Sequence, residues 1–147
     1  MPENKPQIEP CPDSAARRRV LIVDDEESMR LFLGRTVEAL PNVEITLAGT
    51  CEEALHLAGS RNYDVVLLDL LMPGVGGIEV LKAIRSAPPN RETPVIIVSV
   101  MADEDTKNVC RSLGIGDYIV KPIVRESLVA AVQAQIAGRN GPTTTRA

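Results

Sequence analysis

The stretch DVVLLDLL, residues 64–71, is the most apolar segment of the chain. A short, nearly unbroken aliphatic run predicts a strand that is buried on both faces of a sheet, here over residues 64–69. Other short apolar runs predict strands over residues 20–23, 43–48, 94–99 and 117–120. Between these runs apolar residues recur at helical spacing, which predicts helices over residues 26–40, 51–58, 77–85, 103–113 and 125–136.

This alternation of strands and helices predicts an α/β fold. Fully apolar strands joined by helices indicate a parallel sheet that is covered on both faces and connected by right-handed crossovers. Five strands suit a doubly wound, flavodoxin-like sheet in the order 2-1-3-4-5. In such a sheet ligands bind at the carboxyl ends of the strands, near the switch point between the first and third strands.

The chain length favours a single domain. The sequence has 147 residues, of which 44% are hydrophobic, enough for one folded core. We place the domain at residues 19–137. The proline-rich residues 1–18 and the polar residues 138–147 are predicted to be flexible extensions. The basic run Arg17–Arg19 is interpreted as a solvated lead-in to the first strand.

Charge and cysteine content exclude several classes of protein. The net charge of −4 argues against a general nucleic-acid binder. Cys11, Cys51 and Cys110 show no CxxC spacing, which favours a reducing compartment over a disulfide scaffold. The sequence has no apolar run of membrane-spanning length and no signal-peptide pattern at its start. A cytoplasmic location without a membrane partner is therefore expected.

Carboxylates follow two strands that should be neighbours. Asp24 and Asp25 end the first predicted strand, and Asp69 ends the third, so we expect the three to converge. Two carboxylates about 4 Å apart repel by roughly 4 kcal/mol at an effective dielectric near 20. Mg²⁺, which prefers hard oxygen ligands, would offset that repulsion. The alternative is that Asp24 and Asp25 only cap the following helix.

The last two strands end in residues that suit a phosphoryl group. Ser99 ends the fourth strand, and Lys121 ends the fifth and precedes Pro122. A hydroxyl and an ammonium beside a carboxylate cluster could bind phosphoryl oxygens. A cis Lys121–Pro122 bond would turn the chain and aim the lysine inward. Each residue also has a simpler interpretation, as a strand-end hydroxyl or as a solvated lysine.

Taken together, these residues resemble the receiver domain of two-component response regulators, of the chemotaxis-regulator type. The resemblance rests on Asp24-Asp25, on DLLMPGVGG at residues 69–77, on Ser99 and on Lys121-Pro122, in the order and spacing of the family. It covers residues 19 to about 137. Within the loop after Asp69, Met72-Pro73 and Gly77 also fit the family pattern.

The resemblance implies a role for each site residue. Asp69 would accept a phosphoryl group from a histidine kinase or a phosphotransfer protein. Asp25, Asp69 and the main-chain carbonyl of Leu71 would bind Mg²⁺, with Asp24 acting mostly through water. Lys121 would neutralise the phosphoryl oxygens and Ser99 would hydrogen-bond one of them.

The resemblance also implies a switch. Ser99 and its loop would move toward the phosphoryl group, and Tyr118 would turn into the vacated space. The face made by the fourth helix, the fifth strand and the fifth helix would then change and regulate an unidentified partner protein. The alternative for Tyr118 is ordinary packing at the sheet edge. A phosphorylation-dependent homodimer is allowed, whereas nucleic-acid binding through this domain is not expected. The domain would catalyse only its own phosphorylation and dephosphorylation.

Some positions depart from the family pattern. Val100 stands where a small residue is usual, and Gly76 stands where an acid is frequent. Leu71 and Met101 occupy variable positions beside the site, and neither can orient water well by hydrogen bonding. We therefore predict slow loss of the phosphoryl group.

Other interpretations share parts of this pattern. An FMN protein of the same fold would need hydroxyls and free N–H groups after the first strand, where this chain has DDEES, residues 24–28. A phosphatase that forms an aspartyl phosphate would need an acid at Leu71. Two alternatives stay open: an interaction scaffold that never accepts phosphate, and the amino-terminal receiver of a longer regulator whose output domain is absent here.

Overall fold

Five parallel strands form one sheet in the order β2-β1-β3-β4-β5 in the computed structural model of the protein, which describes residues 17–140. The strands are β1 Arg18–Val23, β2 Val43–Ala48, β3 Val65–Leu68, β4 Val95–Ser99 and β5 Asp117–Val120. This order confirms the doubly wound, flavodoxin-like sheet expected from the sequence. The extensions predicted over residues 1–16 and 141–147 lie outside the described residues.

Helices follow each strand and cover the two faces of the sheet. They are α1 Glu27–Glu38, α2 Cys51–Ser60, α3 Gly77–Ser86, α4 Glu104–Ser112 and α5 Arg125–Asn140. A short 3-10 helix, Pro88–Asn90, occupies the segment where two prolines interrupt the chain.

Alternate side chains of the apolar strands pack into two separate cores, one on each face of the sheet. On one face, Val20 and Ile22 of β1 pack with side chains of α1 and α5. On the other face, Leu21 and Val23 pack with side chains of α2, α3 and α4. All four residues are almost fully buried. The sheet is thus covered on both sides, and its open carboxyl edge is left for the loops that carry the site.

The first strand and the last helix are longer than the sequence predicted. β1 begins at Arg18, inside the basic run, because Arg18 and Arg19 continue the ladder opposite Val43 and Glu44. At the other end, α5 continues to Asn140, beyond the boundary placed at residue 137. Backbone pairing thus extends β1 ahead of its first apolar residue. Helix propagation extends α5 beyond the end of its apolar pattern.

Asn90 closes the opposite, amino-terminal end of the sheet. Its side chain is fully buried, and its amide donates to the carbonyls of Ala58 at 2.6 Å and Arg61 at 2.7 Å. Its amide oxygen accepts from the N–H of Tyr63 at 2.7 Å and the hydroxyl of Thr93 at 3.0 Å. One side chain therefore ties the end of α2 to the starts of β3 and β4.

Candidate functional site

Three carboxylates meet at the carboxyl end of the sheet, where β1 and β3 lie side by side. Val23 pairs with Leu68, so the next residue of each strand, Asp24 or Asp69, leaves the sheet at the same level. The N–H of Asp69 donates to the carbonyl of Val23 at 3.0 Å. One carboxylate oxygen each from Asp24, Asp25 and Asp69 lies within 4.8 Å of the others. The structure thus brings together the three acids that the sequence placed at one edge.

The side chain of Lys121 reaches into this cluster from the end of β5. Its ammonium lies 3.0 Å from a carboxylate oxygen of Asp24 and 3.3 Å from one of Asp69. The lysine side chain is only 11% exposed. Burial opposes its charged form, but the hydrogen bond to Asp24 and the charge of Asp69 outweigh burial and raise the pKa of Lys121. The lysine therefore stays a cation beside the acids.

Asp69 is held by two donors. One oxygen accepts the N–H of Leu71 at 3.1 Å, and the other accepts from Lys121. Burial raises the pKa of Asp69, while the Leu71 hydrogen bond and the lysine charge act in the opposite direction. A carboxylate with a positioned oxygen and a neighbouring cation can act as a nucleophile toward an electrophilic centre.

Every polar group of Asp24 is engaged. Its carboxylate accepts from the N–H of Glu26 at 2.9 Å and from Lys121. Its N–H donates to the carbonyl of Ala48 at 3.2 Å, and its own carbonyl accepts from Arg30 at 2.8 Å. The bond from Glu26 closes the turn that precedes α1, but no side chain among residues 17–140 caps the helix itself, so the alternative interpretation of Asp24 as a helix cap is not met.

Asp25 differs from its neighbour. Its side chain is exposed, and its carboxylate has no hydrogen-bond partner among residues 17–140. An exposed, unpartnered carboxylate beside two buried ones offers oxygen atoms to a divalent cation without loss of an existing bond. The donor set of Asp24, Asp25 and Asp69 therefore fits Mg²⁺. The part assigned to the carbonyl of Leu71 stays a prediction.

Ser99 ends β4 and is fully buried. Its hydroxyl oxygen accepts the N–H of Met101 at 3.2 Å. Within the described part of the chain it makes no hydrogen bond to Asp69. The Ser99 hydroxyl thus lies at the end of β4, as expected, but in this structure it stabilises the loop that follows. Its role toward a phosphoryl group stays a prediction.

Tyr118 of β5 is hydrogen-bonded to the loop that follows Ser99. Its hydroxyl donates to the carbonyl of Met101 at 2.6 Å, and the ammonium of Lys107 lies 5.7 Å from the centre of its ring. Burial raises the pKa of Tyr118, so the phenol keeps the proton that it donates. The half-buried ring therefore links β5 to the β4–α4 loop in this structure.

The loop after Asp69 depends on close packing at Gly77. A Cβ on Gly77 would lie 2.4 Å from Cα of Leu70 and 2.5 Å from the carbonyl oxygen of Asp69. The first residue of α3 therefore has to be glycine for the loop to keep this path. Gly76 has φ +89, a conformation that an acidic residue would adopt only with strain.

The other predicted residues lie in the loops at the carboxyl ends of β3, β4 and β5. Leu71 and Val100 are exposed by 50% and 55%, and Met101 is half-buried. The Lys121–Pro122 peptide bond is cis.

Sequence reasoning missed two residues that matter to this architecture. Arg30 contacts Asp24 from within α1, and Asn90 organises the opposite end of the sheet. Their partners are far away along the chain or are main-chain atoms. The only available signal was that Arg30 is the one basic residue in VLIVDDEESMR, residues 20–30.

Comparison with known proteins supports the assignment that the fold and the site suggest. A family model for the response regulator receiver domain matches residues 20–133. The chain therefore belongs to the response regulator receiver domain family.

Individual relatives agree with this family. The response regulator ArlR of Staphylococcus saprophyticus is 34% identical over 118 residues, which cover 80% of this chain and 52% of that protein. The chain thus spans about half the length of this curated relative.

Two solved structures show the same fold. The chemotaxis protein CheY4 of Vibrio cholerae has a TM-score of 0.75 and 29% identity, covering 81% of this chain and 98% of that one. The receiver domain of the sensor histidine kinase PA1611 of Pseudomonas aeruginosa has a TM-score of 0.74 and 25% identity, covering 83% and 99%. That structure holds a magnesium ion in its active site cleft.

Between residues 17 and 140, no helix is both long enough and apolar enough to span a membrane.

Proposed function

We propose that this domain is a phospho-acceptor switch in which Asp69 takes a phosphoryl group from a histidine kinase or a phosphotransfer protein. The observation that carries the proposal is the position of Lys121, which lies against both Asp24 and Asp69 beside the free carboxylate of Asp25. A largely buried cation that contacts Asp69 at the end of the central strand, with an unpartnered acid nearby, suits a group that arrives with several negative oxygens.

The transfer step needs little more than positioning. A carboxylate oxygen of Asp69 attacks phosphorus, the bond from phosphorus to the donor nitrogen breaks, and the electron pair stays with the leaving imidazole. Lys121 then faces the phosphoryl oxygens, and its raised pKa keeps it charged. Mg²⁺, held by Asp25, Asp69 and the Leu71 carbonyl with Asp24 behind them, would neutralise the charge of the transferring group.

The switch would act through the β4–α4 loop. Ser99 has one hydroxyl that presently accepts from Met101, and a phosphoryl oxygen on Asp69 would offer that hydroxyl an acceptor. Movement of this loop would alter the hydrogen bond that the Tyr118 hydroxyl donates to the Met101 carbonyl. The surface of α4, β5 and α5 would follow, and through it a partner protein in the cytoplasm would be regulated.

A direct test is phosphorylation with acetyl phosphate and Mg²⁺, followed by intact-protein mass spectrometry. We expect the parent to gain one phosphoryl group and Asp69→Asn to gain none while remaining folded. Asp64→Asn, which changes an acid at the other end of the same strand, serves as the control and should still be labelled. Robust labelling of Asp69→Asn, or none of the parent, would refute the proposal and favour an interaction scaffold.

A second test separates uptake from switching. Lys121→Ala should still accept phosphate slowly, since the lysine is not the nucleophile. Its amide spectrum with beryllofluoride should resemble that of the untreated parent around Tyr118. A pull-down with and without beryllofluoride would identify the downstream partner, or show a homodimer.

A further inference from the structure

Arg30 turns back from the first turn of α1 toward the end of β1. Its guanidinium donates through Nη1 to the main-chain carbonyl of Asp24 at 2.8 Å. This carbonyl belongs to the peptide that joins Asp24 to Asp25, and its orientation sets the direction in which Asp25 leaves the strand. Arg30 therefore acts on the backbone of the acidic cluster and not on its carboxylates.

The Asp25 side chain has no hydrogen bond of its own among residues 17–140, so its placement depends on the main chain on either side of it. It is exposed, whereas the buried Asp24 is held at every polar group. The position of the Asp25 carboxylate is thus set by the path of its main chain. Two side-chain bonds hold that path: the Asp24 carboxylate accepts the N–H of Glu26, and Arg30 donates to the carbonyl of Asp24.

Gly49 provides the space that the guanidinium occupies. A Cβ at Gly49 would lie 2.7 Å from Nη1 and 3.1 Å from Cζ of Arg30. The φ of Gly49 is not in the left-handed region, so an added Cβ would not strain the backbone but would displace the guanidinium of Arg30. Gly49 follows β2, whose last residue, Ala48, accepts the N–H of Asp24 at 3.2 Å. Arg30, Asp24 and Gly49 thus form one junction at the ends of β1 and β2.

We propose that Arg30 is a positioning residue for the divalent cation: it fixes the Asp24–Asp25 peptide so that Asp25 faces the cluster, and Gly49 leaves room for it. This inference rests on the proposed function, because it assumes that the three acids bind Mg²⁺. Groups that orient metal ligands typically change metal affinity by about 10–100-fold when removed.

The charge of Arg30 and its positioning role predict opposite effects of its removal on Mg²⁺ affinity. Arg30 has no carboxylate partner within salt-bridge distance among the described residues, and its positive charge lies near the acids. If only charge mattered, its loss would strengthen cation binding, since like charges repel. If position matters more, its loss weakens binding.

The experiment is a Mg²⁺ titration of the full chain by calorimetry, together with thermal unfolding in the absence of metal. Arg30→Met removes the guanidinium but keeps an unbranched apolar side chain. Gly49→Ala keeps the arginine and its charge but fills the space. The matched controls are Arg35→Met, which removes an exposed positive charge from the same helix, and Gly59→Ala, where an added Cβ meets nothing within 4 Å.

We expect both Arg30→Met and Gly49→Ala to bind Mg²⁺ about tenfold more weakly than the parent, and both controls to bind within about twofold of it. Tighter or unchanged binding by Arg30→Met and Gly49→Ala would overturn the inference and leave the proposed function intact. A parent that does not bind Mg²⁺ would instead overturn the proposed function. If Arg30→Met does not fold, Gly49→Ala decides the question alone.

Discussion

The hydroxyl of Tyr118 donates a hydrogen bond to the main-chain carbonyl of Met101, with 2.6 Å between the two oxygen atoms. This contact joins the edge strand β5 to the loop that follows Ser99. The bond is short, and the phenol is half-buried, so its loss leaves a carbonyl without its donor. A displacement of the β4–α4 loop can therefore reach the edge strand β5 through one side chain.

Removal of this hydroxyl should loosen the coupling. Tyr118→Phe is expected to lower the free energy of unfolding by about 1 kcal/mol. It should also reduce the chemical-shift changes that beryllofluoride causes in α4 and α5, as measured by amide NMR. A variant whose shifts match those of the parent would show that the bond does not transmit the switch.

The matched control is the other tyrosine. Tyr63 is fully buried, and its hydroxyl has no hydrogen-bond partner in the part of the chain that the structure describes. Tyr63→Phe should therefore leave the free energy of unfolding unchanged or raise it by up to about 1 kcal/mol. Chemical denaturation of both variants in parallel would reveal the opposite signs.

Asn90 should be among the most sensitive positions outside the site. Asn90→Asp keeps the shape but places an acceptor against the carbonyls of Ala58 and Arg61, in a fully buried position. We expect a loss of about 2–4 kcal/mol in urea denaturation. Asn108→Asp, on the exposed face of α4, should change stability by less than about 0.5 kcal/mol. Equal effects of the two substitutions would contradict the role assigned to Asn90.

Gly77 should link stability to phosphate uptake. Gly77→Ala would push Cβ into the backbone of Asp69 and Leu70, at a cost of about 1–3 kcal/mol, and would shift the nucleophile. Phosphorylation by acetyl phosphate should slow accordingly. Gly59→Ala, within α2, should instead stabilise by up to about 1 kcal/mol, since alanine is the better helix former. Normal uptake by a folded Gly77→Ala would show that the loop tolerates the displacement.

The lifetime of the phosphoryl group should be long. Hydrolysis needs a water molecule in line with the breaking bond, and the side chains of Leu71 and Met101, two residues beyond Asp69 and Ser99, are apolar. We expect a lifetime of minutes to hours at the parent. A double variant, Leu71→Asn with Met101→Glu, should lose its phosphoryl group faster because both new side chains can hold water. The decay can be measured by mass spectrometry. Loss of the phosphoryl group from the parent within seconds would exclude this explanation.

The sequence by itself determined the fold class and the location of the acids. Apolar runs such as residues 65–68 indicate strands that are buried on both faces of a parallel sheet. Apolar residues at helical spacing between these runs indicate the helices that cover the sheet. Given that order, the ends of β1 and β3 have to adjoin, so Asp24 and Asp69 could be placed together without coordinates. Such features are periodic or follow from strand order, and therefore they leave a local trace.

Only the tertiary structure decided how each group is used. It gives Asp24 four partners and Asp25 none among residues 17–140, although the two are adjacent and chemically identical. It also lays Arg30 across Gly49 and directs the hydroxyl of Tyr118 to Met101. Most of these contacts join a side chain to a main-chain atom or to a residue distant in sequence. Their formation depends on side-chain direction and on the space between packed elements, and neither is encoded in a repeating pattern of residue types.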